Sequence, residues 1–199
     1  MDYACTLTNA CQAAAQGELE QWIHTYLLTD GDNKAFSDGL KRFDRIYHGP
    51  VSFPLEGFTR TTGPESTMQY KIPPEWFEVH VSQLMEAAKA GEDLPPLIVH
   101  YYIPEDKELG KFELNDGNHR LEAFRRMGVK RYHVIFWCTE QQEFDQLMER
   151  YGHLMEYTEA IWSTTRTQIY SSAIWKKRTP RFSMTNTQPK AGIQRQHII

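Results

Sequence analysis

The segment 112–128 constrains the fold most, because a strand-like run, a glycine turn and a short amphipathic helix follow one another without a spacer. Phe112 and Leu114 alternate with polar residues, which is the period of a strand with one buried face. Gly117 can adopt the positive φ that most residues avoid, so the chain can turn there. The helix after the turn has an apolar stripe at helical spacing, made of Leu121, Phe124 and Met127.

Both ends of this helix carry recognisable capping residues. Asp116 or Asn118 is expected to cap its N-terminus with a side-chain oxygen. Gly128 stands where a left-handed C-terminal cap belongs, and Val129 can make the apolar contact that accompanies such a cap. The helix is therefore predicted to end at about residue 127.

The turn also brings together groups suited to an anion. The first N–H groups of a helix lack partners inside it and lie at the positive end of the helix dipole. Arg120 adds a planar fork for phosphate or carboxylate, and His119 adds another donor. Asp116 could hold a divalent cation on the same phosphates or accept a proton. Asp-Gly-Asn is also ordinary turn chemistry, so a purely structural role is the alternative.

The run Asp-Gly-Asn-His-Arg-Leu-Glu-Ala at 116–123 resembles the phosphate-binding turn of the ParB/sulfiredoxin superfamily. It is most similar to the Asp-Gly-His-His-Arg version found in ADP-dependent free serine kinases. Sulfiredoxins carry a catalytic cysteine where this chain has Asn118, so sulfiredoxin chemistry is not expected. The Gly-x-x-Arg form of ParB-type CTP-binding proteins matches at Gly117 and Arg120. The resemblance covers roughly residues 51–137.

This resemblance implies a nucleotide site that uses Mg²⁺ with ADP or ATP. Asp116 would hold the metal or act in catalysis. The first-strand loop of the kinases carries a general base, and Glu65 in Gly63-Pro64-Glu65 is the matching position. An exposed loop carboxylate without a catalytic role is the alternative for Glu65. The phosphate-binding residues that the resemblance implies are Gly117, Asn118, His119 and Arg120.

The implied activity is that of a phosphotransferase, such as a small-molecule kinase, or a nucleotide hydrolase, with a nucleotide and a small-molecule substrate as partners. The alternative is a non-catalytic ParB-like nucleotide sensor or DNA-associated module. ParB proteins add a multi-helix DNA-reading domain, and one good helical segment after residue 139 leaves no room for the usual helix-turn-helix. Sequence-specific DNA binding is therefore not expected.

The pattern of apolar residues predicts an α/β (α+β) fold with a small mixed sheet flanked by helices. Pro54 should mark the first strand, 51–55, as an edge strand or mark a strand end, and the apolar strand 132–137 should lie in the interior. A capping box of Thr139 with Gln142 should open a last helix that continues to about residue 162. The other predicted helices cover 9–29, 37–47 and 73–90, and another strand covers 97–102.

This pattern divides the chain into four parts. A ParB/sulfiredoxin-like domain, 49–139, follows an N-terminal helical extension, 1–48, whose amphipathic face should pack on the domain or could instead form a homodimer. A C-terminal helical extension, 140–175, and a basic disordered tail, 176–199, complete the chain.

Composition and charge limit the cellular setting. The chain has no apolar run of membrane-spanning length, its N-terminus lacks signal-peptide features, and its three cysteines form no CxxC motif, so a cytoplasmic protein is expected. The net charge of -4 is uneven. Residues 176–199 contain six Lys and Arg and no Asp or Glu, which leaves all 26 acidic residues in the rest of the chain. An acidic body argues against non-specific nucleic-acid binding.

Overall fold

A computed structural model describes residues 4–157 of the chain. Its centre is a four-stranded mixed sheet in the order β1-β6-β4-β5. The interior strand β6 pairs antiparallel with β1 and parallel with β4, and β4 pairs antiparallel with β5. The strands of this sheet are β1 (Ile46–Pro54), β4 (Leu97–Tyr102), β5 (Lys111–Asp116) and β6 (Arg131–Cys138). Two short strands, β2 (Thr62–Gly63) and β3 (Tyr70–Lys71), form a separate parallel pair.

Helices cover both faces of the sheet. Three of them precede the first strand, α4 lies between β3 and β4, α5 joins β5 to β6, and α6 follows β6. The helices are α1 (Leu7–Gln16), α2 (Leu19–Leu28), α3 (Lys34–Leu40), α4 (Pro74–Lys89), α5 (Asn118–Arg126) and α6 (Gln141–Tyr151). This arrangement confirms the predicted α+β class, with a small mixed sheet flanked by helices.

The alternation of side chains along β6 creates two hydrophobic cores. Ile135 and Trp137 point to one face, where they pack with α1 and α2 around the fully buried Trp22. Val134 and Phe136 point to the other face and pack with α5 and α6. The N-terminal helices therefore share a core with the sheet, as the amphipathic pattern predicted. The helix α4 packs outside α5 through a small third cluster.

The predicted boundaries of the N-terminal helices were wrong. Gly17 has φ +77 and ends α1, so the single helix expected over 9–29 is two helices. The next helix begins three residues before Ser37, because the Asn33 side chain accepts a hydrogen bond from the Phe36 amide. Ile46, which was expected in that helix, opens β1.

The later elements match the predictions more closely. The first strand lies at the sheet edge and the strand around 132–137 lies in the interior, as predicted. Gly128 has φ +74, and the Val129 amide donates to the Phe124 carbonyl at 2.9 Å, which confirms the expected cap at the end of α5. The capping box of α6 uses Glu140 and Glu143, one residue later than predicted.

Part of the predicted domain plan falls outside the described residues. The last helix was predicted to continue to about residue 162, but α6 ends at Tyr151 and a 3-10 turn, Gly152–Leu154, follows it, so this prediction was wrong. The basic segment 176–199 lies wholly beyond residue 157. Within residues 4–157, no helix combines the length and the apolar content needed to cross a bilayer.

Candidate functional site

The turn at Gly117 joins β5 directly to α5. Gly117 has φ +96, and a Cβ at this position would lie 2.5 Å from Leu97 Cδ2 and 3.0 Å from Arg120 Nη2. Both the backbone angle and the close packing therefore require glycine here. Gly117 is itself the N-cap of α5 and provides no side-chain cap, so the prediction that Asp116 or Asn118 caps this helix was wrong.

The guanidinium of Arg120 is held inside the protein. Its Nη2 donates to Asp116 Oδ2 at 2.6 Å and to the Pro96 carbonyl at 3.3 Å, and its Nη1 donates to the Tyr26 hydroxyl at 2.8 Å. The Arg120 side chain is 10% exposed. The expectation that this guanidinium binds phosphate has no support in this geometry, because its end nitrogens already donate to internal acceptors.

Tyr26, Asp116 and Arg120 form a closed triad between α2 and the turn. The Tyr26 hydroxyl accepts from Arg120 and donates to Asp116 Oδ2 at 2.8 Å. Burial raises the pKa of Tyr26, and this effect outweighs the opposing effect of the Arg120 charge, so the hydroxyl keeps its proton. The triad fixes the turn against the N-terminal helices, and its cation and anion are paired within it.

Asp116 nevertheless keeps one carboxylate oxygen for a ligand. The two hydrogen bonds of the triad go to Oδ2. Its Oδ1 makes no hydrogen bond with the residues that the structure describes, and Asp116 lines a cavity. A cation or a hydroxyl donor in that cavity could contact Oδ1.

Asn118 holds the loop at Thr61 and Thr62 in place and also keeps free hydrogen-bond donors. Its Oδ1 accepts from the backbone amides of Thr61 at 2.8 Å and Thr62 at 3.1 Å. Because both partners are N–H donors, chemistry fixes which amide atom is oxygen and which is nitrogen. Asn118 is 7% exposed, and its Nδ2 makes no hydrogen bond to residues 4–157. Two N–H donors remain on a nearly buried side chain at the cavity wall.

The backbone at the start of α5 offers further donors. The first intrahelical hydrogen bond runs from the Leu121 amide to the Gly117 carbonyl at 2.8 Å. The amides of Asn118, His119 and Arg120 have no acceptor within the described part of the chain. These three residues line the cavity, so the positive end of the helix dipole faces it.

His119 is a neutral side chain packed among other rings. Its ring centroid lies 5.0 Å from that of Phe77, 5.4 Å from Trp76 and 5.5 Å from His80. Burial, with a smaller effect from a charge on His80, lowers the pKa of His119 to about 4. At neutral pH the ring therefore carries no positive charge, and its buried Nε2 has no partner within residues 4–157.

The cavity itself has a volume of about 400 Å³. Small-molecule pockets span about 300–1,000 Å³, so this one fits a small ligand. Its walls come from the loop after α2, the start of α5, and α4 with the segment before it. The lining residues are Tyr26, Asp30, Gly31, Asp32, Asn33, Thr62, Ile72, Trp76, Leu84, Asn115, Asp116, Gly117, Asn118, His119 and Arg120.

Glu65 is not among the residues that line this cavity. Its carboxylate forms an ion pair with Arg60, and the hydrogen bond from Arg60 is the main cause of its lowered pKa. Arg60 also pairs with Glu122 at 3.2 Å and lies over the ring of Phe77. A general base needs a free carboxylate close to the substrate, so the predicted catalytic role of Glu65 has no support in this geometry.

Sequence reasoning missed the residues that the fold brings from outside the turn. By its local pattern, the run Asp30-Gly31-Asp32-Asn33 is a helix stop after the helix predicted over 9–29, and Trp76 belongs to the apolar face of the helix predicted over 73–90. Trp76 is 48% exposed and lines the cavity. The sequence signal that could have identified the loop is the pair Asp30 and Asp32 on either side of a glycine, whereas the exposure of Trp76 is visible only in the fold.

A metal site built by the protein alone is absent from residues 4–157. No group of three or more His, Cys, Asp and Glu side chains there is arranged to hold an ion. A metal at this site would therefore depend on ligand oxygens as well as Asp116.

No protein-family model, no curated protein and no solved structure matches this chain.

Proposed function

We propose that the cavity at the N-terminus of α5 binds a small phosphorylated ligand, with ADP or ATP and Mg²⁺ as the form that the ParB-like turn implies. One observation carries this proposal. Three adjacent backbone amides, at residues 118–120, have no acceptor in the described chain and belong to residues on the cavity wall. Unpaired amides at a helix N-terminus attract phosphate oxygens through both hydrogen bonds and the helix dipole.

The side chains of the turn have different roles from those that the sequence predicted. Asn118 Nδ2 adds donors beside the amides, whereas Arg120 positions the turn through Asp116 and Tyr26. The anion is thus bound by backbone and amide groups of fixed geometry. Arg120 acts as a positioning residue, and its guanidinium makes no direct contact with phosphate in this scheme.

Mg²⁺ fits the remaining chemistry of the site. This ion commonly takes one or two carboxylates together with phosphate oxygens and water. Asp116 Oδ1 supplies one such oxygen on the cavity wall. When bound, Mg²⁺ would neutralise phosphate charge beside the carboxylate.

A phosphotransferase or hydrolase reaction is the finer form of the proposal. In that form Asp116 takes the role of proton acceptor or metal ligand, because Glu65 pairs with Arg60 instead of lining the cavity. Phosphoryl transfer depends mainly on positioning and charge stabilisation, which the helix N-terminus supplies.

The binding step is tested by Asn118→Asp. An aspartate keeps an oxygen that accepts from the Thr61 and Thr62 amides, but it replaces the Nδ2 donors with a charged acceptor. The loss of a hydrogen bond to a charged group costs about 1.5–3 kcal/mol, so affinity should fall roughly tenfold or more. Isothermal titration with inorganic phosphate, ADP and ATP, each with and without MgCl₂, measures the change.

Asn9→Asp is the matched control. It makes the same substitution in the first turn of α1, where a carboxylate suits the helix dipole, and Asn9 does not line the cavity. Its affinity for phosphate ligands should stay close to wild type. The proposal fails if none of the three ligands binds, or if Asn118→Asp binds them as tightly as the control.

The reaction is tested separately. The protein is incubated with ATP, Mg²⁺ and a set of hydroxyl-bearing metabolites, and nucleotide conversion is followed by chromatography. Turnover that disappears in Asp116→Asn supports the reaction. Binding without turnover leaves the nucleotide-binding role and removes the enzymatic one.

A further inference from the structure

We propose that the loop 30–33 recognises sugar hydroxyls, so that the ligand of this cavity is a phosphorylated ribose or a nucleotide bound through its ribose. This inference rests on the proposed function, because it assigns the other end of the same ligand. To the phosphate-binding amides the inference adds two hydroxyl-binding carboxylates, those of Asp30 and Asp32, and an apolar wall that contains Trp76.

The loop holds two carboxylates in a fixed frame. The Gly31 amide donates to the Tyr26 carbonyl and the Asn33 amide donates to the Leu27 carbonyl, both at 2.8 Å. A Cβ on Gly31 would lie 3.0 Å from the Tyr26 carbonyl oxygen, so the loop packs closely on the end of α2. Asp32 has φ +41, a left-handed conformation that aspartate tolerates better than most residues. The loop backbone is therefore ordered before any ligand arrives.

The two carboxylates remain free to accept hydrogen bonds. Asp30 and Asp32 line the cavity and are exposed. Neither forms an ion pair with a Lys, Arg or His of residues 4–157. An ionised carboxylate only accepts, so the part of a ligand that faces this loop must donate.

The other groups of the cavity limit which kind of donor the ligand can present to Asp30 and Asp32. The ligand's phosphate lies at the backbone amides of α5, beside the free Nδ2 donors of the nearly buried Asn118 side chain. A second anionic group at the loop would be repelled by Asp30 and Asp32. The described side chains form no metal-holding cluster, which disfavours a loop-bound metal ion. Hydroxyl groups donate without adding charge and suit paired carboxylates.

Trp76 supplies the apolar side of the same cavity. Its ring centroid lies 3.9 Å from that of His80 and 5.4 Å from that of His119, and the residue is 48% exposed. Ile72 and Leu84 line the wall with it. A cavity with donors at one end, acceptors at another and an aromatic wall matches a sugar phosphate, whose C–H face or attached base can cover the indole.

The volume of the cavity sets the size of the ligand. At about 400 Å³ it lies near the lower end of the usual range for small-molecule sites. One phosphorylated sugar or one mononucleotide is therefore the natural occupant.

The test compares AMP with 2′,3′-dideoxy-AMP and inorganic phosphate by isothermal titration. In the wild type, removal of both hydroxyls should weaken binding roughly tenfold or more, because two hydrogen bonds are lost. The double variant Asp30→Ala/Asp32→Ala should bind AMP about as weakly as the wild type binds the dideoxy compound. It should also bind the two nucleotides equally, as expected when the hydroxyls and carboxylates interact directly.

Asp44→Ala/Asp106→Ala is the matched control, since it removes two acidic side chains that do not line the cavity. It should keep the wild-type preference for AMP. Thermal melting before titration checks folding, and Asp30→Asn/Asp32→Asn provides a second variant if the alanine pair melts early.

Four results would overturn the inference. Equal binding of AMP and its dideoxy analogue by the wild type, with both lost in Asn118→Asp, would keep the phosphate site and remove hydroxyl recognition. Tighter AMP binding by the alanine pair would show that the carboxylates repel the ligand. Tighter binding of phosphoethanolamine than of AMP would assign the loop to an ammonium group. A failure of AMP and phosphate alike would overturn the proposed function as well.

Discussion

Tyr26→Phe probes the triad that fixes the functional turn. The substitution removes one oxygen atom from a side chain that is 2% exposed. That oxygen accepts from Arg120 Nη1 and donates to Asp116 Oδ2, each at 2.8 Å. Phenylalanine keeps the ring that stacks on Trp22 with centroids 5.3 Å apart, so the packing is preserved.

The expected cost follows from the partners left behind. A hydrogen bond to a charged group contributes about 1.5–3 kcal/mol. Two such bonds are lost, but the direct Arg120–Asp116 contact at 2.6 Å remains and limits the loss. We expect the free energy of unfolding to fall by about 2–4 kcal/mol. In a domain of this size, that corresponds to a decrease in melting temperature of about 5–15 °C.

Urea unfolding followed by circular dichroism measures the change. Tyr70→Phe is the matched control, because Tyr70 is 59% exposed and its hydroxyl meets only the exposed Gln69 side chain among the described residues. That variant should stay within about 0.5 kcal/mol of wild type. If Tyr26→Phe changes stability no more than Tyr70→Phe does, the triad does not hold the turn in place.

Two further predictions concern the turn and the pH dependence of stability. Gly117→Ala should lower the free energy of unfolding by about 2–4 kcal/mol in thermal or urea melts, since it combines a left-handed φ with a Cβ 2.5 Å from Leu97. Gly39→Ala is the control, because Gly39 lies inside α3 and a Cβ there would have nothing within 4 Å; it should be neutral or stabilising by up to about 1 kcal/mol. Similar losses of unfolding free energy in the two variants would contradict the argument. Burial lowers the pKa of His100 from 6.5 to about 4, so the folded state binds fewer protons than the unfolded state between these values. The stability that neutral His100 contributes is therefore complete above pH 6.5 and is lost as the pH falls towards 4, by up to about 1.4 kcal/mol per pH unit. In urea melts at pH 7, 6 and 5, His100→Gln should reduce the dependence of the unfolding free energy on pH. An unchanged dependence would contradict this.

Local patterns in the sequence predicted the elements whose signals are local. The β5–turn–α5 unit was predictable because Gly117 and the stripe at Leu121, Phe124 and Met127 lie within one short segment. The same locality explains the correct prediction of the C-terminal cap at Gly128. The interior position of β6 followed from its continuous apolar run.

The partners of the functional side chains were not predictable in this way. Arg120 contacts Tyr26, 94 residues earlier in the chain, and Asn118 contacts Thr61, 57 residues earlier. Nothing in the motif tells whether a guanidinium points to a ligand or to an internal carboxylate. The packing of α2 against the sheet decides it, because that packing brings a tyrosine and the turn into contact.

The N-terminal helices show the same limit. Gly17 lies within a region of good helical periodicity, and it ends a helix because its φ is positive in the fold. The strand β1 likewise includes Gly49 and Pro50, residues that usually indicate a turn, because pairing with β6 continues past a bulge between His48 and Val51. At Gly49 and Pro50 pairing with β6 overrode the local preference, whereas at Gly17 the helix ends in a local left-handed cap that the periodicity did not reveal.

The central claim is that the amides at the start of α5 receive a phosphate group. Its most direct test is a titration of ¹⁵N-labelled protein with ADP and Mg²⁺, monitored through amide chemical shifts. We predict that the largest saturable shifts belong to the amides of Asn118, His119 and Arg120, and that inorganic phosphate at higher concentration shifts the same three. Saturable binding that leaves these three amides unmoved, with shifts confined to other parts of the chain, would contradict the account.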